Sequence, residues 1–161
     1  MKFNIAEQGH IVPLYIPHDI NGGDHHSPIV NMEAYSHASV LIYLGDASRA
    51  AGLITVESCN DSTPSAPTKI VFNYYEAVIA FGTADNDVLS AKKTAATTGI
   101  APPIASVGVF YVIELDAIEL DAGDIGFRID IVNPAAACLA YGVAILSGAK
   151  YQGAESVTAI I

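Results

Sequence analysis

The stretch from Val107 to Ile131, VGVFYVIELDAIELDAGDIGFRIDI, constrains the fold more than any other part of the chain. It reads as two β-strands joined by a turn rich in Asp and Gly. In the second strand Ile125, Phe127, Ile129 and Ile131 alternate with Gly126, Arg128 and Asp130. A period of two puts the apolar set on a core face and the charged pair toward water. The first strand, Val107 to Leu115, is apolar on both faces, which predicts a central strand covered on both sides.

The rest of the chain supplies strands to complete such a sheet. Ser39 to Leu44 (SVLIYL) and Leu53 to Cys59 (LITVESC) flank the turn GDASRAAG and predict a hairpin. Lys69 to Phe81 is aromatic and β-branched, with a break expected near Glu76. The run from Asp87 to Thr94 reads as a short helix or as part of a long loop. Cys138 to Leu146 (CLAYGVAIL) has Leu139, Tyr141, Val143 and Ile145 on one face. Its other face, Cys138, Ala140, Gly142 and Ala144, is small enough for another sheet or subunit to approach closely. Asn133 and Pro134 offer a helix start there, but Gly142 and the β-branched residues favour a strand. The tail ESVTAII supplies an edge strand or docks on a neighbour.

Residues 1–31 form a separate N-terminal arm and loop, and residues 32–161 a single domain. Pro13 and Pro17 exclude a helix and favour extended chain, so the apolar Phe3, Ile5, Ile11, Val12, Leu14 and Ile16, with His10 among them, read as an interaction arm. The loop NGGDHHSP, residues 21–28, is exposed by composition. About seven or eight strands, irregular spacing and Gly- and Pro-rich turns predict an all-β fold, an antiparallel β-sandwich of jelly-roll type.

Composition bounds what such a domain can do. The 161 residues suit one domain, and 52% are apolar against 15% charged, well under the roughly 25% usual for a globular domain. With a mean hydropathy of +0.40, the chain carries more apolar surface than one small domain hides, which predicts a homo-oligomer. Seventeen acidic residues against seven basic ones give a net charge of −10, which repels phosphate backbones and excludes nucleic-acid binding. The uncharged run from Ile131 to Ala149 is broken by Gly and Ser and carried by Ala, so it reads as core rather than as a membrane span. The opening MKFNIAEQGH has no apolar signal-peptide region.

No motif in the sequence carries a chemistry. Phosphate-loop and GxSxG patterns are absent, Ser36-His37 says nothing without geometry, and Cys59 and Cys138 lie in apolar runs without metal spacing, as two thiols or a pair of distant strands joined by a disulfide. His18, His25 and His26 are the candidate metal ligands of a metal-dependent hydrolase. Adjacent histidines on a loop seldom converge on one ion, so a solvated loop and no metal are expected. The acid pairs Glu114/Asp116 and Glu119/Asp121 read as a solvated turn rather than as a glycosidase or calcium site. Phe72, Tyr74 and Tyr75 read as sheet core rather than as a sugar platform. No cofactor is implied.

Four stretches, MKFNIAEQGHIV, FNYYE, FYVIELDA and VAILSGAKY, together resemble a group of small structural proteins of tailed bacteriophages and prophages. The resemblance runs through most of the chain. It implies a non-enzymatic virion protein on the capsid exterior, made in the bacterial host cytoplasm. A capsid decoration (cement) protein is the foremost role, a homotrimer bound to the major capsid protein. The alternative is a tail, baseplate or fibre module that binds other virion proteins or host glycans.

Overall fold

The computed structural model describes residues 4–45, 52–64, 67–79, 88–103, 108–134, 136–150 and 158–161. After a single helical turn, α1 (Ile5–Gln8), the described chain is β-structure. Its strands are β1 (His10–Asp19), β2 (His25–His26), β3 (Val30–Asn31), β4 (Tyr35–Leu44), β5 (Ile54–Cys59), β6 (Thr68–Lys69), β7 (Phe72–Ile79), β8 (Lys93–Ala95), β9 (Gly108–Asp116), β10 (Gly126–Ile131) and β11 (Leu139–Ala149). A 3-10 turn, Ala117–Glu119, follows β9. All pairings are antiparallel. One sheet runs β1-β11-β4-β9-β7-β8, the other β2-β10-β5-β6, with β3 also on β10.

The two sheets bury one contiguous apolar core. Val40, Ile42 and Leu44 of β4 and Tyr111, Ile113 and Leu115 of β9 meet Ile54 and Val56 of β5 and Phe127, Ile129 and Ile131 of β10, all inaccessible to solvent. The period of two along β10 therefore identifies the core face as expected. The position of β9 in the middle of its sheet, between β4 and β7, is also as expected.

Four expectations need correction. First, β9 is not covered on both sides, since Phe110, Val112 and Glu114 on its outer face are only half-buried. Second, β4 and β5 are not a hairpin: β4 pairs β11 and β9, while β5 pairs β10 and β6 in the opposite sheet. Alternation says which side chains share a face, not which strand becomes the neighbour. Third, the break in the third strand run falls at Ile70–Val71, where the chain crosses from β6 to β7, and β7 continues through Glu76. Fourth, the chain forms the edge strand β8 at Lys93–Ala95. The helix-or-loop alternative for 87–94 applies only to its described part, 88–92, which has no helix.

The separation of an N-terminal arm is corrected as well. His10–Asp19 pairs with β11 along most of its length, and Val12, Leu14 and Tyr15 lie in the core. Pro13 and Pro17, read as marks of a free arm, instead fit an edge strand, where a missing N–H costs no ladder bond. Tyr15 spans the sandwich: its hydroxyl, which carries one proton, lies 2.7 Å from the carbonyl of Ile129 and 3.0 Å from that of His25 in the other sheet, and donates between them. The small face of β11 makes room for it, because a Cβ on Gly142 would stand 3.0 Å from the Tyr15 ring. The loop 21–28 likewise holds β2, and β2 and β3 are two halves of one strand along β10, interrupted around Pro28. Within the tail, Ile160 bridges to Val30, and residues 151–157 lie outside the described part.

On the outer side of the smaller sheet, Arg128 and Asp130 do not face open water. Arg128 Nε donates to Glu57 Oε2 at 2.7 Å, and Asp130 pairs with His26 at 3.0 Å and Lys69 at 3.8 Å. Burial raises the Asp130 carboxyl above its ordinary value, against the opposing pull of His26. Nearby, Gly126 pairs with both Cys59 and Asn31, and a Cβ there would stand 2.3 Å from the Val30 carbonyl oxygen. Gly126→Ala is thus expected to push β3 off β10 and lower stability by about 1–3 kcal/mol, as overpacking does. Chemical denaturation measures this, and an unchanged midpoint would contradict the close approach.

Candidate functional site

The feature that stands out from this framework is the outer face of the six-stranded sheet. Strand β11 turns Ala140, Gly142, Ala144 and Leu146 inward, and Leu139, Tyr141, Val143 and Ile145 outward. Leu139 and Tyr141 are 61% and 45% exposed, and Val143 and Ile145 are half-buried. Strand register continues this outward row across the sheet. Tyr141 lies beside Tyr43, and Tyr43 beside Phe110. The next row is Pro13, Val143, Leu41, Val112 and Tyr75, taken from five adjacent strands. The third row begins with Ile11 and Ile145, then turns polar at Ser39, Glu114 and Asn73. No Asp, Glu, Lys or Arg stands in the first two rows, on a chain of net charge −10.

The polar end is a compact hydrogen-bonded cluster. His37 Nδ1 is 2.7 Å from Asp116 Oδ1, and His37 Nε2 is 2.8 Å from Glu114 Oε2. Ser39 donates to the same Glu114 oxygen at 2.7 Å and lies 3.4 Å from His37 Nε2. Serine, imidazole and carboxylate thus follow in the order of a hydrolase triad. With both ring nitrogens facing carboxylates, however, His37 has no free lone pair to take the Ser39 proton, and Glu114 already accepts it. Both acids are held by β9, and the Glu119 carboxylate accepts the Asp116 backbone N–H at 2.8 Å. This arrangement favours a stable imidazolium over a base.

Partial burial pulls the His37 imidazole down, but its hydrogen bonds to Asp116 and Glu114 outweigh that and hold its pKa above the ordinary value. The sign follows from linkage: a raised folded-state value gives stabilisation that is complete below about pH 6.5 and is lost as pH rises through the folded value. An NMR titration of the His37 ring is expected to give a value above about 6.5, and His37→Gln should remove this component from the stability profile. A ring titrating at or below the ordinary value would contradict the double clasp.

The residues picked out from sequence separate in the fold. Of the arm set, Val12 and Leu14 are core, Ile5 and His10 are half-buried, and Ile11 and Ile16 are 48% and 74% exposed; Phe3 lies outside the described residues. His18 Nε2 and His25 Nδ1 approach to 3.4 Å, while His26 turns away to Asp130. Among the described residues no three His, Cys, Asp or Glu side chains converge as a metal site requires. Phe72 is buried, Tyr74 packs on the core beside Phe72 and Tyr111, and Tyr75 alone of the three points outward. Cys59 and Cys138 are buried and not joined in a disulfide, and burial pushes the Cys59 thiol up to about 11.

The small face of CLAYGVAIL is open in the sequence to another sheet or to another subunit, and that alternative left Leu139, Tyr141, Val143 and Ile145 unplaced; the fold turns Ala140, Gly142 and Ala144 inward. No helix among the described residues is long and apolar enough to cross a membrane. No protein-family model matches the chain, and no curated protein matches it.

Proposed function

We propose that this protein is a non-enzymatic structural protein of a tailed-phage virion, a capsid decoration protein that binds the head exterior and stabilises the major capsid lattice as an oligomer. The observation that carries the reading is the uncharged apolar face on an otherwise strongly acidic domain. Exposed apolar patches of this kind mark protein–protein contact. The resemblance of MKFNIAEQGHIV, FNYYE, FYVIELDA and VAILSGAKY to phage structural proteins supplies the setting.

The strand order supports a jelly roll, the sandwich common in viral capsids. With β2 and β3 counted as one strand and the β7–β8 hairpin set aside, eight strands remain. In chain order they lie 1-8-3-6 in one sheet and 2-7-4-5 in the other, which is the pattern of two interleaved Greek keys. The hairpin extends the first sheet beside β9.

Co-sedimentation with undecorated heads of the phage or prophage that encodes the protein tests the assignment. Saturable binding and heads that survive higher temperature are expected. Failure to bind heads at micromolar concentration would overturn the decoration role.

A further inference from the structure

We infer that the outer face of the six-stranded sheet is a self-complementary interface: two copies of this chain pack sheet on sheet about a two-fold axis. The inference rests on the reading above that the protein works as an oligomer, and it names the surface and the partner. A two-fold pair takes the place of the trimer implied by the resemblance.

The face covers five adjacent strands, from β1 to β7. Five strands about 4.8 Å apart, over three rows or about six residues at about 3.4 Å each, give roughly 500 Å2 in projection, and more over the contours of the side chains. A standard interface takes about 800 Å2 of accessible surface from each partner. The face is therefore large enough for a stable pair.

Each copy carries a net charge of −10, so two copies repel unless the surfaces that meet are neutral, as the two rows through Tyr43 and Leu41 are. A basic partner would instead seek an acidic surface. A three-fold arrangement is heterologous and needs a second apolar surface to receive this one. The outer side of the other sheet carries the Glu57–Arg128 and Asp130–Lys69 pairs. The remaining exposed apolar side chains among the described residues, such as Val71, Val88 and Ile118, lie outside the strands.

The face is also polar along the strands. Its two ends differ: Tyr43 and Tyr141 present hydroxyl donors at one end, and Ser39 and Glu114 present acceptors at the other. A two-fold axis lying across the strands at Leu41 sets Tyr43 over Ser39 of the second copy, and brings Leu41 against Leu41. The His37 clasp then offsets one of the two carboxylate charges at the acidic end that the second copy covers.

Light scattering on a sizing column tests this with the full chain and two variants. The wild-type protein is expected at twice the chain mass of 16.8 kDa. Leu41→Glu, which sets two carboxylates against each other on the axis, is expected at the single-chain mass with an unchanged far-UV spectrum. Ile118→Glu, at a site 90% exposed elsewhere, should stay paired. Should Leu41→Glu fail to fold, Leu41→Cys treated with a bismaleimide about 10 Å long, the spacing of packed sheets, is expected to give a covalent dimer. A paired wild type whose Leu41→Glu variant stays paired, or a Leu41→Cys protein that fails to cross-link, overturns the surface and leaves the oligomer intact. A trimer overturns the two-fold geometry. A wild-type monomer at all concentrations overturns the pairing, and head binding by that monomer would show the decoration role standing without it.

Discussion

Phe127→Ala is expected to lower the free energy of unfolding by about 3–5 kcal/mol, the range for truncating a fully buried aromatic ring. Phe127 sits on β10 with no accessible surface, between Ile129 and the β5 residues that face the larger sheet. Its ring is among the largest fully buried side chains of the domain, and the fixed strands around it cannot collapse into the space it leaves. A domain of this size has about 5–15 kcal/mol in total, so the variant should melt far below the wild type or fail to accumulate. Urea denaturation gives the value. A loss below about 1 kcal/mol would mean that the sheets close over the cavity, and that the core is less rigid than interlocked sandwich packing requires.

The second large effect is expected at Arg128→Ala, with a loss of about 3–5 kcal/mol, because removing one partner of a buried pair strands the other charge. The Glu57 side chain is 7% exposed, and Arg128 Nε reaches it at 2.7 Å. Without Arg128, Glu57 stands buried near the Asp130 carboxylate on the neighbouring strand. Replacing both partners, Glu57→Leu with Arg128→Met, should restore most of the stability, since a packed apolar pair avoids the desolvation cost that the ions bear. If Arg128→Ala loses no more than about 1 kcal/mol, the pair is screened as a surface pair would be.

These two positions show what alternation conveys. Both lie in GFRIDI, and the sequence identifies Phe127 as core and Arg128 as its opposite correctly. Being opposite to the core is not the same as being exposed. Arg128 and Asp130 face outward from the sandwich, yet neighbouring strands bring Glu57, Lys69 and His26 over them. That depends on which strands pair, and pairing is a long-range choice that local periodicity does not encode.

The candidate face was legible in its ingredients and not in its location. The excess of apolar residues over what one core holds was visible in composition, and so was the alternation of large and small residues in CLAYGVAIL. Which side turned outward was decided by Tyr15. Its ring lies over Gly142 and its hydroxyl bonds across to the other sheet, which requires the small side of β11 to face in. The same placement turned Leu139 and Tyr141 toward solvent and drew His10–Asp19 into the sheet, where the prolines had suggested a free arm.

The sequence by itself determined the class of fold, the identity of most core-facing residues and the acidic character of the chain. Those properties follow from local alternation and from counts, which are fixed before the chain folds. Only the tertiary structure decided that β4 and β5 lie in opposite sheets, that His37 is clasped by Glu114 and Asp116 from β9, and that five strands align their outward apolar residues into one face. Each of these depends on contacts between residues far apart in the chain. Such contacts are selected by the fit of whole faces against one another, and no single strand carries that information.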